Sequence, residues 1–332
     1  MAKRPLLVFA GQSNMMGAAV YPASEQINFE NSFEYLHKPK RMGDPIGGFK
    51  TYGFPSGEFS YIDMKAAYGN ITFPQFKSSL TDYQKNTYFC PSMCNLDDDA
   101  AKTTLPFVTY CEKDNNMGVC LPPFIVKALE DNGYPCCYAH IAKGGVPIKY
   151  YLEGGAAEYF AQKVTDFFTD SAKKFPDDDL SEKILVWLQG ESDGSTDDCY
   201  DNYIANLGLL WTKAKKLGFT KLLIIRVGYW GLKTVSGVMR AQEDYCQKTE
   251  NAYMITRAMS YFKHPTLNEE GWFNVPPTEE YCDCRDSFFG FNNNHINEKG
   301  FKVIADRAVP NILRILNGEE PVLEEENIIP LM

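Results

Sequence analysis

The stretch LLVFAGQSNMMG, residues 6–17, joins an apolar run to a short polar turn. Its first five residues are all apolar, which is typical of a buried strand. Gly11 lets the chain bend sharply, and Ser13 follows where backbone N–H groups of the next turn point at whatever the serine hydroxyl attacks. A serine here is suited to act as a nucleophile, although a Ser-Asn pair after a strand is, by composition alone, more often a helix N-cap.

Similar apolar runs recur along the chain and alternate with helical patterns. The predicted strands are 6–10, 136–142, 184–188, 222–227 and 252–255, and the predicted helices are 124–130, 156–174, 200–217 and 235–248. Such alternation produces right-handed crossovers and a parallel sheet covered on both faces. We therefore expect an α/β fold, a three-layer α/β/α sandwich with a central, mostly parallel sheet. Its reactive groups are expected in the loops after Ala10, Ala142 and Leu188, at the carboxyl ends of strands.

One long segment, from about residue 21 to residue 120, does not follow this rhythm and is rich in Tyr, Phe, Gly, Pro and Asn. We interpret it as an irregular insertion packed beside the main sheet. The residues leave open whether it is a lid, a substrate-binding flank or a scaffold extension. The rest of residues 1–318 is expected to form a single domain, and residues 319–332 an acidic, solvated C-terminal tail.

Composition and charge exclude several classes of function. The chain has 332 residues, 44% of them apolar, which is enough for a large core and makes disorder a poor interpretation. A formal net charge of −10 repels phosphate backbones, so nucleic acid is not an expected partner. No apolar run is long enough for a signal peptide or a membrane span. We expect no membrane partner, and either a cytoplasmic location or the mature form of a secreted protein.

The ten cysteines do not form a metal-site pattern. Cys90, Cys94, Cys111 and Cys120 crowd one segment, two more are adjacent at 136–137, and none has the paired C-x-x-C spacing of a zinc site. We therefore expect no metal. Reduced thiols and a few disulfides remain equally open.

Four stretches carry a resemblance to a known family. They are GQSNMMG at 11–17, AKGGVPI at 142–148, WLQGESD at 187–193 and NNNHINEKG at 292–300. In this order they resemble sequence blocks of the SGNH hydrolase superfamily, in particular its sialate O-acetylesterase and acetylxylan esterase branch, which is carbohydrate esterase family 6-like. The first and third blocks are specific, and the resemblance spans nearly the whole chain outside the insertion. The stretch VMRAQ at 238–242 also resembles a family pattern and receives no role.

The resemblance implies the flavodoxin-like SGNH fold and a serine acetylesterase that needs no metal or organic cofactor. It implies Ser13 as nucleophile and His295 as general base. It also implies an oxyanion hole made by the backbone N–H groups of Ser13 and of Gly145, or else Gly144, with the Gln189 side-chain amide. Histidine suits the base role because its ordinary pKa of about 6.5 allows proton transfer near neutral pH.

One position departs from the family pattern. Asn292 stands where the family usually has the aspartate that orients the histidine. An asparagine carbonyl can accept the imidazole N–H, but it cannot neutralise the imidazolium that forms. Glu191 and Asp286 are therefore alternative acids.

The function that the resemblance implies is hydrolysis of acetyl esters on a carbohydrate substrate. The alternative is a catalytically inactive glycan-binding or structural module that retains the fold. Retention of Ser13, Gln189 and His295 together favours the enzyme, because an inactive site has no physical need for all three. The choice between sialic acid, xylan and other acetylated glycans stays open.

Overall fold

The computed structural model describes residues 2–17, 27–36, 48–50, 52–53, 120–194, 199–228, 235–261, 296 and 298–323. The strands are β1 (Leu6–Gly11), β2 (Ile27–Asn28), β3 (Phe33–Leu36), β4 (Gly48–Lys50), β5 (Tyr52–Gly53), β6 (Cys137–Ala142), β7 (Lys183–Leu188), β8 (Lys221–Ile225) and β9 (Ala252–Thr256). The helices are α1 (Ser13–Met16), α2 (Pro122–Asp131), α3 (Gly154–Lys174), α4 (Cys199–Lys216), α5 (Ser236–Lys248) and α6 (Glu298–Leu316), with 3₁₀ turns at Ile148–Tyr151 and Ala258–Tyr261.

A seven-stranded sheet with the order β4-β3-β6-β1-β7-β8-β9 forms the centre of the molecule. All its neighbouring strands are parallel except β4, which pairs antiparallel with β3 at the edge. Strand β1 lies between β6 and β7, with Phe9 opposite His140 on one side and Val186 on the other. Every residue of β1 is buried, which explains a continuously apolar run without polar alternation.

Helices cover both faces of this sheet. On one face, Trp187 of β7 packs edge-on against Tyr151 at 5.0 Å between ring centroids, and its indole N–H donates to Tyr203 of α4. On the opposite face, His140 of β6 reaches α1, and helices α2 and α6 pack against each other. The predicted three-layer α/β/α sandwich is therefore confirmed.

Part of the predicted insertion belongs to the sheet itself. Residues 33–36 and 48–50 form β3 and β4, so in these positions the expectation of a segment packed beside the sheet is wrong. Aromatic packing holds this edge in place, since the ring of Tyr35 lies 5.5 Å from that of Phe167 in α3, and its hydroxyl donates to Asp170 at 2.7 Å. A strand of four residues is too short for its periodicity to be read from the sequence.

The residues after α6 turn back onto that helix. The backbone N–H of Val322 donates to Oδ1 of Asn311 at 2.7 Å, and Arg314 pairs with Glu319 at 3.0 Å. The part of the predicted acidic tail that follows residue 323 lies outside the described residues. None of the helices described here is both long and apolar enough to cross a membrane.

The structure describes five cysteines: Cys120, Cys136, Cys137, Cys199 and Cys246. All but Cys246 are buried. Burial raises the pKa of Cys137 to about 12, and the positive charge of Arg4 opposes this shift by a smaller amount. The buried thiols therefore act as apolar core groups. The described residues contain no group of His, Cys, Asp and Glu that could hold a metal ion.

Candidate active site

The turn that carries Ser13 is fixed by a close approach of β1 to β7. A Cβ atom on Gly11 would lie 1.9 Å from the carbonyl oxygen of Leu188, so only glycine fits there. The next backbone N–H, of Gln12, donates to the same oxygen at 3.1 Å. Ser13 then begins the one-turn helix α1, which ends at Gly17 in the left-handed conformation with φ 87°. Ser13 therefore lies directly beyond the carboxyl end of the central strand.

The loop after β6 lies against this turn. The backbone N–H of Lys143 donates to the carbonyl oxygen of Gly11 at 3.0 Å. A Cβ atom on Gly144 would lie 3.8 Å from Cβ of Ser13, which places the two residues side by side. Gly145 has φ 71°, a left-handed conformation that other residues adopt at a cost of about 1–2 kcal/mol. The structure thus brings Gly144 to the serine turn, and Gly145 is the next residue along the chain.

The loop after β7 is tied to both of the others through Gln189. This side chain is fully buried, and its Nε2 donates to Oε1 of Gln12 at 3.0 Å, the carbonyl oxygen of Val146 at 3.1 Å and Oδ2 of Asp193 at 2.6 Å. Oε1 of Gln12 also accepts the backbone N–H of Ser192 at 3.2 Å. An amide has two hydrogens, so three acceptors already compete for them. Gln189 is therefore an organising residue of the three loops.

Buried polar side chains of α4 and α5 bind the backbone carbonyl group of Gln189. The hydroxyl of Tyr203 donates to the carbonyl oxygen of Gln189 at 2.6 Å, and Nε2 of Gln242 donates to the same oxygen at 2.9 Å. Oε1 of Gln242 accepts the backbone N–H of Val227 at 3.0 Å. Burial raises the pKa of Tyr203 well above its ordinary value, so the phenol stays protonated as a donor. The VMRAQ stretch thus contributes Gln242 as a support of the site.

Asn14 connects the serine turn to Glu191 and to the chain just after His295. Its Nδ2 donates to Oε1 of Glu191 at 2.8 Å, and its Oδ1 accepts the backbone N–H of Ile296 at 3.1 Å. Glu191 is 1% exposed, and its Oε2 has no hydrogen-bond partner among the described residues. Burial raises the pKa of Glu191, and the bond from Asn14 lowers it by less. A buried carboxyl group therefore lies next to the serine turn, and one of its oxygens has no hydrogen-bond partner among the described residues.

The predicted site residues that the structure describes all lie in the loops after β1, β6 and β7: Ser13, Gly144, Gly145, Gln189 and Glu191. Three others, His295, Asn292 and Asp286, lie outside the described residues, and their roles stay predictions.

Sequence reasoning gave no role to Asn14 or to Asp193, although both lie inside quoted motifs. His140 lies in β6, where its Nε2 is 2.8 Å from the carbonyl oxygen of Met15. This bond connects α1 to the sheet.

Comparisons with solved structures agree with this architecture. The chain is similar to a protein from Arabidopsis thaliana, with a TM-score of 0.51 and 13% identity over 94% of this chain and 98% of that one. It is also similar to NanS, with a TM-score of 0.50 and 12% identity over 96% of this chain and all of that one.

A carbohydrate acetylesterase from Xanthomonas citri matches with a TM-score of 0.41, at 11% identity over 95% of this chain and 57% of that one. A score this low supports no inference about the chain. No protein-family profile and no curated protein sequence matches the chain. The likeness to the first two structures shows the fold, a three-layer α/β/α sandwich, and the activity must be argued from the site.

Proposed function

We propose that this chain is a carbohydrate O-acetylesterase with Ser13 as its nucleophile and His295 as its general base. The observation that carries the proposal is the bond between Asn14 and Ile296, because it ties the residue after Ser13 to the residue after His295 at 3.1 Å. The resemblance of the four sequence blocks to SGNH esterases supports the same assignment.

The proposed reaction is a two-step acyl transfer. The Ser13 hydroxyl attacks the acetyl carbonyl while His295 takes its proton, and a tetrahedral oxyanion forms. Backbone N–H groups of Ser13 and Gly145 stabilise this oxyanion, with Gly144 as the adjacent alternative. The oxyanion collapses, the sugar oxygen leaves with the proton held by His295, and Ser13 carries the acetyl group. Water, deprotonated by His295, then attacks the acetyl-serine. The bond between the serine oxygen and the acetyl carbon breaks, acetate leaves, and the Ser13 oxygen takes back the proton from His295.

Gln189 is proposed to stabilise the oxyanion by exchanging one of its internal hydrogen-bond acceptors for the oxyanion. Its Nε2 is already within hydrogen-bond distance of three acceptors, one more than its hydrogens can serve. An oxyanion is a stronger acceptor than a neutral carbonyl oxygen. Transfer of one N–H from a neutral acceptor such as Val146 to the oxyanion is therefore favourable when charge develops in the transition state.

Glu191 is proposed to supply the negative charge that Asn292 lacks. Asn292 keeps the role of orienting the imidazole of His295, since an amide oxygen accepts an N–H. Burial by itself raises the pKa of Glu191 and favours its protonated form. The imidazolium that forms on His295 would favour the ionised form, because opposite charges attract more strongly in a buried site than in water. Asp286 is the competing acid, and replacing each one separately by its amide decides between them.

The experiment measures acetate release from p-nitrophenyl acetate, acetylated xylan and O-acetyl sialosides. Wild type is expected to release acetate from at least one acetylated glycan, and Ser13→Ala is expected to abolish this turnover. Ser181→Ala is the matched control, because Ser181 is exposed and precedes the amino end of β7, whereas Ser13 follows the carboxyl end of the parallel strand β1. Hydrolysis that survives Ser13→Ala would contradict the proposal, and glycan binding without any turnover would favour the inactive module.

A further inference from the structure

Asp193 links the two loops that flank Ser13. Its Oδ2 accepts the backbone N–H of Ile148 at 2.9 Å and Nε2 of Gln189 at 2.6 Å. Asp193 follows β7, whereas Ile148 begins the 3₁₀ turn that comes after the glycine loop of β6. A single carboxylate oxygen therefore connects segments that lie 45 positions apart in the chain.

The glycine loop is held on both sides of Pro147. Before the proline, the carbonyl oxygen of Val146 accepts from Gln189 at 3.1 Å, and after it, Ile148 donates to Asp193. Proline has no N–H of its own and a fixed φ, so these two bonds and the ring restrict three consecutive residues. Gly145, with φ 71°, directly precedes this restrained stretch, so fixing residues 146–148 limits the backbone positions open to this glycine.

We propose that Asp193 is a positioning residue for the oxyanion site, which acts by holding the Gly145 loop and the amide of Gln189 in one arrangement. This inference rests on the proposed esterase function. Asp193 contacts the Gln189 amide directly, and it reaches the Gly145 loop through the Ile148 N–H. Neither contact requires that Asp193 touch the substrate. Its removal frees the Ile148 N–H and one hydrogen of Gln189 at the same time.

The decisive variants are Asp193→Ala and Asp193→Asn, with Asp177→Asn as the control because Asp177 is exposed. Asp193→Ala removes both accepted bonds, and a lost oxyanion donor typically costs about 10²-fold in kcat. KM is expected to stay within about threefold, because the affected bonds matter in the transition state. Asp193→Asn retains an amide oxygen that accepts both bonds, and it is expected to restore kcat to within about tenfold of wild type.

A double-mutant cycle with Gln189→Ala tests whether Asp193 acts through Gln189. If it does, the combined loss in kcat is expected to be clearly smaller than the product of the two single losses, since only the effect of the Ile148 contact is independent of Gln189. Losses that multiply would overturn the inference, because they would mean that the two residues act separately.

The outcomes separate this inference from the proposed function. A wild-type enzyme that hydrolyses through Ser13 while Asp193→Ala keeps its kcat would overturn the inference alone. Loss of folded protein in Asp193→Ala, with normal kcat per folded molecule, would also overturn it, since that result indicates a purely structural role. Absence of any Ser13-dependent hydrolysis in wild type would overturn the proposed function and this inference with it.

Discussion

Asn14 and Ile296 lie 282 positions apart in the chain, yet the backbone N–H of Ile296 donates to Oδ1 of Asn14 at 3.1 Å in the interior. Asn14 is 2% exposed, and its other polar atom is bound to Glu191. A backbone N–H only donates, so the Ile296 bond fixes Oδ1 of Asn14 on its side and leaves Nδ2 to donate to Glu191. One side chain thereby orders the segments that follow both proposed catalytic residues.

Replacing Asn14 by alanine is expected to lower both stability and activity. It leaves Oε1 of Glu191 and the N–H of Ile296 without this partner, and two such buried groups cost about 2–5 kcal/mol of unfolding free energy. Urea unfolding measures the loss, and Asn202→Ala, at an exposed position on α4, is the control. Equal stability of the two variants would show that the Asn14 bonds contribute nothing.

Glu191→Gln is expected to reduce activity without the loss of stability that is usual for a buried substitution. Burial raises the pKa of Glu191, so the folded state holds its proton more tightly than the unfolded state does. Stability must then fall as pH rises from the ordinary value, about 4.5, through the raised pKa, and the amide removes this dependence.

Unfolding measurements from about pH 4 to pH 8 test this dependence. Wild type is expected to lose stability relative to Glu191→Gln as pH rises, whereas the exposed control Glu158→Gln should follow wild type. The opposite trend would mean that a positive group outside the described residues compensates the Glu191 charge.

Gly11→Ala is expected to prevent folding of the serine turn. The added Cβ would lie 1.9 Å from the Leu188 carbonyl oxygen, a backbone atom that cannot move without breaking the pairing of β1 and β7. Gly155→Ala is the control, since nothing lies within 4 Å of a Cβ there and alanine favours helix α3 by up to about 1 kcal/mol. Soluble expression and circular dichroism report the result. A folded Gly11→Ala protein would contradict the close contact between Gly11 and the Leu188 carbonyl oxygen.

Gln242→Ala is expected to be far more destabilising than Gln247→Ala, although both lie on α5. The first leaves the Val227 N–H without its partner and removes one donor from the Gln189 carbonyl, whereas Gln247 is exposed. One buried unpaired group costs about 1–3 kcal/mol, and thermal unfolding of the two variants gives the difference. Similar melting temperatures would argue against a supporting role for the VMRAQ stretch.

The sheet and the three loops could be predicted because each depends on a local pattern. The apolar runs that became β1, β6 and β7 are long enough to be recognised, and parallel strands place their carboxyl-end loops together. The strand of Tyr35 was not predicted, because four residues carry too little periodicity and its aromatic partners are remote in sequence.

The hydrogen bonds of the site could not be predicted in the same way. Asp193 received no role because nothing in its sequence neighbourhood reveals that the backbone nitrogen of Ile148 will lie 2.9 Å from its Oδ2. The amide of Gln189 was expected to serve an oxyanion, whereas the folded chain also gives it three internal acceptors. Such contacts depend on the mutual placement of loops, which only tertiary structure determines.

Covalent labelling with a fluorophosphonate tests most directly whether Ser13 is an activated nucleophile. The reagent phosphonylates a serine only where a base removes the hydroxyl proton and donors stabilise the negative charge that develops. Peptide mass spectrometry is expected to find the label on the peptide that contains Ser13, and to find it lost in Ser13→Ala and strongly reduced in His295→Ala. An unlabelled Ser13 in folded wild-type protein, or labelling that is indifferent to His295, would contradict the account.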